Sequence, residues 1–172
     1  MTRARWQIAL RAHRGSRSGA PVGDHARLMF AACSESVASA ELVAAFPTAY
    51  VLQTLGSLPR ELDAATRATI ELGVLGTGVR HIVVCGHDRC KERKGAVAPE
   101  TSQARVVARC RALQADEHIG PMLRRARVTM RALWLEDASR DLYACDFEGR
   151  PARCMGDEDL AAMFARFDEV SA

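Results

Sequence analysis

The chain has no apolar run approaching the roughly 20 residues that a bilayer-spanning helix needs, and its start lacks the pattern of a secretory signal. A soluble cytoplasmic protein with no membrane partner is expected. It also lacks a Gly-rich phosphate loop, a Gly-x-Ser-x-Gly elbow and a dinucleotide fingerprint, which disfavours those enzyme classes. Aromatic residues are scarce at 5%, and the formal net charge is only +3. With neither a strong basic excess nor an aromatic platform, nucleic acid is not an expected partner. Lysine is confined to Lys91 and Lys94, every other basic residue being Arg, a bias expected of a bacterial genome rich in G and C. No internal repeat or low-complexity tract occurs.

What remains is a globular composition, 48% apolar and 26% charged over 172 residues, expected to form a single domain over 1–172. Residues 1–23 read as an N-terminal arm and loop. Arg3, Arg5, Arg11, Arg14 and Arg17 leave three readings of the arm: a targeting segment, a nucleic-acid arm, or a segment docked on a partner subunit. Docking is favoured, because Trp6, Ile8 and Leu10 offer apolar anchors.

Apolar runs at 27–33, 48–54 and 79–85 predict buried strands, and 39–46 reads as a short helix. The spacing of Leu62, Ala65, Thr69, Leu72 and Leu75 predicts a crossover helix within 59–78, capped by Ser57 and stopped by Gly78. Helical stretches follow at 101–113 and 116–125, the second interrupted at Gly120-Pro121. Strands at 128–135 and 141–147 form a hairpin, and 157–167 is an amphipathic helix capped by Asp157, with Leu160, Met163, Phe164 and Phe167 on one face. The fold class is α/β, a mainly parallel central sheet flanked by helices, with a helical N-terminal arm.

Chemistry concentrates at the ends of two strands. The run from His81 to Cys90 closes on His87 and Cys90, spaced as zinc ligands, and Cys33 ends another apolar run. If those strands are neighbours, two thiolates and an imidazole meet at their carboxyl ends. Of the six cysteines, Cys33 and Cys90 are therefore read as metal ligands, whereas Cys85, Cys110, Cys145 and Cys154 are read as buried or idle thiols. Glu71 is read as structural, His81 as packed or capping, and the group Arg105, Arg109, Arg111, Arg124, Arg125, Arg127 and Arg131 as a solvated face.

The order of these motifs resembles the β-class carbonic anhydrases. Gly78-Val-Arg-His-Ile-Val-Val-Cys-Gly-His-Asp-Arg-Cys90 is similar to the family's second zinc run, Thr69-Ile-Glu-Leu-Gly-Val74 to its Ser-Ile-Glu-Tyr-Ala-Val helix, and Leu133 to Tyr143 to its closing hairpin. The resemblance covers roughly residues 27–147 and implies Zn2+ held by Cys33, His87 and Cys90. It further implies zinc-bound hydroxide attacking a small electrophilic carbon, by default hydration of CO2 to bicarbonate, in a homodimer or higher homo-oligomer. Tyr50 or Phe46 lining an interface pocket is also implied.

The likeness breaks in the first run, Cys33-Ser-Glu-Ser-Val37, where the family has Asp and Arg at the positions of Glu35 and Val37. The segment 51–57 is changed too, and Lys91 replaces a Gly that commonly follows the last ligand. Zinc with two thiolates keeps no formal charge, so acidifying its water needs help from nearby groups. In the family an Asp held by an Arg fork gives that help, and Val37 cannot imitate the fork. Glu35 then has three options: fourth zinc ligand, longer base held by a cation such as Arg89, or a solvated bystander. Closure of the resting site by Glu35 ranks first, since a carboxylate beside a metal is drawn to it. Two functions follow: a weak or substrate-shifted zinc lyase with Glu35 and Arg89 as catalytic groups, or a catalytically silent zinc protein serving as a structural or binding module.

Overall fold

The computed structural model describes residues 27–36, 49–59, 61–90, 102–139, 141–148, 150 and 153–168. The N-terminal arm, the expected helix at 39–46 with Phe46, Val37 and Lys91 lie outside the described residues, as do the side chains of Asp157, Leu160, Phe164 and Phe167.

Six strands form one sheet: β1 (Leu28–Cys33), β2 (Tyr50–Thr54), β3 (His81–His87), β4 (Thr129–Leu135), β5 (Leu142–Cys145) and β6 (Arg153–Cys154), in the order β2-β1-β3-β4-β5-β6. The first four run parallel, and β4-β5-β6 are antiparallel. Every residue of β1 is buried, as a central parallel strand covered on both faces requires. β2 alternates half-buried and exposed residues, in keeping with its place as the outermost described strand on that side.

The mainly parallel sheet read from the sequence is therefore present, with different limits. β5 stops at Cys145, short of the expected 147, because Asp146 turns the chain by accepting hydrogen bonds from the Glu148 N–H and from Arg150. β6 has two residues and was not expected.

The crossover helix α1 (Ala64–Glu71) is shorter than the expected 59–78. Its cap is Asp63, whose Oδ1 accepts the Thr66 N–H at 2.7 Å, and not Ser57. A single wider turn over Leu72–Gly76 follows, and Gly78 at φ 81° ends the segment as anticipated. Ser57 instead adopts φ 78° directly after Gly56 at φ 80°, so the chain doubles back sharply beyond β2.

Helix α2 (Ser102–Ala115) packs on β3 and β4, and α3 (Ile119–Arg125) packs beside it. Gly120-Pro121 does not interrupt α3. Pro121 sits in its first turn, where no intrahelical N–H bond is required, and a Cβ at Gly120 would lie 2.2 Å from the Gln114 carbonyl oxygen. Helix α4 (Asp157–Asp168) ends the described chain with Met163 buried.

Asp116 joins three of these pieces. Its Oδ1 accepts the N–H groups of His118 and Ile119, both at 3.0 Å, and its Oδ2 accepts Arg67 Nε from α1 at 3.0 Å. The Ile119 amide, then that of His118 and the Arg67 guanidinium, hold its carboxyl below the ordinary value of 3.8. A carboxyl depressed in the folded state stabilises fully above its unfolded pKa, and that contribution is lost as pH falls through the folded value. Asp116→Ala should therefore cost about 1–2 kcal/mol at pH 7. Urea unfolding checks it: the gap from wild type should narrow as pH falls below the ordinary carboxylate value of 3.8, and a gap that stays constant far into acid would refute the cap.

Candidate metal centre

The chain passes from β1 to β2 on one side of β1 and later returns as β3 on its other side. Such a reversal opens a crevice at the carboxyl ends of the two central strands, where ligands of open parallel sheets bind. Cys33 is the last residue of β1 and His87 the last of β3, and Ala32 faces Cys85 in register, so the two side chains emerge at neighbouring levels. A turn at Asp88 and Arg89 brings Cys90 back to the same point.

One ligand atom from each of Cys33, His87 and Cys90 lies within 4.8 Å of the others. The sulfurs are 3.6 Å apart. Two Zn–S bonds of about 2.3 Å at a tetrahedral angle would separate sulfurs by about 3.8 Å, close to that spacing. His87 is 2% exposed, and its Nε2 is buried with no hydrogen-bond partner among the described residues. A buried imidazole nitrogen left without a partner is costly in an apoprotein and is what a metal would satisfy. The donor set fits zinc.

Neighbouring groups support the ligands. The Gly56 N–H donates to Cys33 Sγ at 3.4 Å, a contact that the left-handed turn at Gly56 and Ser57 makes available. Ser57 Oγ donates to the Cys85 carbonyl, tying that turn to β3. His87 Nδ1 lies 2.8 Å from Asp137 Oδ2. Asp137 sits two residues beyond Leu135, which faces His87 in the β3–β4 register, so the β4–β5 turn carries it over the end of the sheet.

A cavity of about 30 Å³ opens beside the three ligands. That is room for roughly two water-sized occupants. Val84, Gly86, Val106 and Trp134 give it an apolar wall, and Arg105 and Arg109 of α2 close it. The arginines were expected on a solvated face. Instead Arg109 is 8% exposed and Arg105 half-buried, because α2 turns this face onto β3 and β4. Arg111 does lie on the exposed side, donating to the Phe147 carbonyl.

Glu35 occupies the turn after Cys33, half-buried, and belongs to neither group of potential ligands gathered among the described residues. Arg89 is exposed in the ligand loop and does not line the cavity. Tyr50 begins β2, at the end opposite Cys33, and packs near Gly73 rather than against this cavity. Cys85 is fully buried, as read. Burial pushes the thiols of Cys110 and Cys145 up to about 12 and about 11, so both stay protonated and remain core residues. His81 Nδ1 lies 2.7 Å from Thr129 Oγ1, a packed histidine as expected, and Glu71 is exposed at the end of α1.

Sequence reasoning missed Asp137, the Gly56-Ser57 turn, Arg105, Arg109 and Trp134. Asp137 had a signal only once β4 was placed in register beside β3. The others lie in segments whose elements were recognised without the faces they present.

A family model described as carbonic anhydrase matches residues 28–142. A carbonic anhydrase of Synechococcus elongatus is 32% identical over 78 residues, which make up 42% of this chain, and the match spans 29% of that relative's length. Among solved structures, the β-carbonic anhydrase CcaA aligns with a TM-score of 0.62 at 15% identity, covering 85% of this chain and 92% of that one. A tetrameric β-carbonic anhydrase of Sordaria macrospora gives 0.58 at 16% identity, covering 80% and 90%. At such identities the structural likenesses speak for the fold alone. The family model, spanning more than half of the sequence and all three metal-type ligands, shows that this chain belongs to the carbonic anhydrase family, in its β class.

Proposed function

We propose that this protein is a zinc enzyme hydrating CO2, or a close electrophilic relative, to the corresponding small anion. The observation that carries this reading is the meeting of Cys33, His87 and Cys90 at the mouth of a small, largely apolar cavity. When bound, zinc supplies Lewis-acid activation of water. The chain's own residues supply the rest. Val84, Val106 and Trp134 keep bulk water from the reacting carbon, and the Gly56 amide steadies the Cys33 sulfur. Arg105 and Arg109 put positive charge on the wall facing an anionic product.

Glu35 is the gate of the site. Turned inward it would serve as the fourth ligand beside Cys33, His87 and Cys90; turned outward it would accept a proton, with Arg89 as the cation that holds it. Because Val37 removes the family's carboxylate clamp, turnover is weak or shifted to another substrate. That same loss favours a second reading, a silent zinc protein acting as a binding module. The protein is taken to be a single cytoplasmic domain over 1–172 that assembles as a homo-oligomer. Val51 on β2 is exposed, as are Leu72 and Leu75 on the turn after α1 whose Gly73 lies beside Tyr50, an apolar margin of the kind that subunits cover. Among the described residues no helix is long and apolar enough to cross a membrane.

Stopped-flow CO2 hydration by the zinc-loaded protein between about pH 6 and 9 tests the reading. A rate above buffer is expected, rising at least about tenfold when Glu35→Asp and Val37→Arg restore the clamp, since general acid–base help contributes about 10²–10⁴-fold. Rates equal to buffer for both proteins, with zinc bound, would select the silent module.

A further inference from the structure

We propose that Asp137 is the positioning residue that fixes the tautomer and orientation of His87, and that Asp88 and Ser36 hold Asp137 there. The role rests on the zinc reading above. An imidazole presents one protonated and one bare nitrogen when neutral, and a metal takes only the bare one. Here Nδ1 faces Asp137 Oδ2 at 2.8 Å, while Nε2 points into buried space without a hydrogen-bond partner among the described residues. Proton on Nδ1 satisfies the carboxylate and leaves the Nε2 lone pair for the metal. The opposite tautomer would set a lone pair against a carboxylate and bury an N–H without an acceptor. Both penalties act in one direction, so the ring is set before any metal arrives.

Asp137 is itself held from two sides. Its backbone N–H donates to Asp88 Oδ1 at 3.0 Å, and its Oδ1 accepts Ser36 Oγ at 3.4 Å. Asp88 belongs to the loop between His87 and Cys90, and Ser36 to the turn that follows Cys33. The β4–β5 turn is thereby tied to both segments that carry ligands. A turn residue with only a local role bonds within its own turn, as Ser139 does with Glu136 at 2.6 Å and with the Asp141 N–H at 3.2 Å. Asp137 reaches outward instead, across 50 residues of sequence, to a side chain that is 1% exposed. His87, Asp88 and Asp137 also form a compact group of potential ligands, but the 2.8 Å contact is the length of a direct hydrogen bond, with no ion between the atoms.

Full-length wild type, Asp137→Ala and Asp137→Asn test the role through zinc affinity, measured by chelator competition. The same proteins are compared by 15N spectra of the imidazoles and thermal unfolding, both without metal. Asp137→Ala should lose about 10–100-fold in zinc affinity, and Asp137→Asn less, because its amide oxygen still accepts from Nδ1. In metal-free wild type the His87 signal should be that of the Nδ1–H form, and in Asp137→Ala a mixture. Equal affinity in all three proteins, a wild-type Nε2–H form, or a loss in Asp137→Ala no larger than its lowered stability accounts for would each overturn the role. A wild type that takes up no zinc would overturn the metal reading and this role together, whereas zinc held equally by all three would overturn the role alone.

Discussion

Cys90→Ala should weaken zinc binding by about 10²–10³-fold and bring CO2 hydration down to the rate of buffer. The size follows from sharing: a full structural zinc site is worth about 10–16 kcal/mol, so one of its ligands carries about 3–4 kcal/mol, and each 1.4 kcal/mol is about tenfold. Cys90 is the one ligand that is only half-buried, and Cys33 and His87 end rigid strands, so its removal should leave the sheet intact. Thermal unfolding of the metal-free variant should accordingly match that of metal-free wild type. Cys154→Ser is the control, because Cys154 is exposed on β6 and joins no group of potential ligands among the described residues. Metal analysis after dialysis against a weak chelator reads the difference. Full zinc retention in Cys90→Ala would show that the metal is held elsewhere.

The reason this centre was legible in the sequence is that strands of parallel sheets announce themselves as short apolar runs, and two such runs ended in ligand-type residues. Cys33 and His87 need only adjacent strands to meet, and Cys90 follows His87 at a spacing that one turn closes. The groups around the ligands were not legible, because each depends on a coordinate that spacing does not encode. Asp137 meets His87 through the register of β3 against β4 and the reach of a turn. Arg109 looks like any charge on a polar helix until the helix is rotated onto the sheet, and α2 is polar enough on several sides that its inward face is hard to read from periodicity. Ser57 was read as a cap because its residue type favours one. Its actual role depends on a left-handed backbone, which a Ser rarely adopts and which costs about 1–3 kcal/mol unless surroundings impose it. Here the Ser57 Oγ bond to the Cys85 carbonyl, inside the sheet, helps impose it. The misreadings of Ser57, Arg105 and Arg109 fall at the cavity, where local preference yields to the needs of a site, whereas those of helix and strand limits lie away from it.

Gly86→Ala should leave zinc in place yet slow CO2 hydration by about 10–100-fold, the scale on which misplacement of about 1 Å acts. Gly86 lies between Cys85 and His87 on β3 and lines the cavity beside the ligands. A Cβ there would stand 2.4 Å from Val106 Cγ2 and 3.1 Å from two ring atoms of Trp134. Carbon atoms settle at about 3.5–4.0 Å, so Val106 must retreat by about 1 Å and Trp134 must shift as well. Both side chains wall a cavity of only about 30 Å³, which cannot absorb such a displacement unchanged. Overpacking of this kind costs about 1–3 kcal/mol of stability, a loss that unfolding measurements separate from the loss in rate. If crowding is the cause, removing the obstructing methyls should offset it: Val106→Ala in the Gly86→Ala background should recover part of the lost rate, although Val106→Ala alone, which thins the apolar wall, should lower it. That non-additivity is the signature of two residues sharing one small space. An undiminished rate in Gly86→Ala would mean that the reacting carbon does not pass through this cavity.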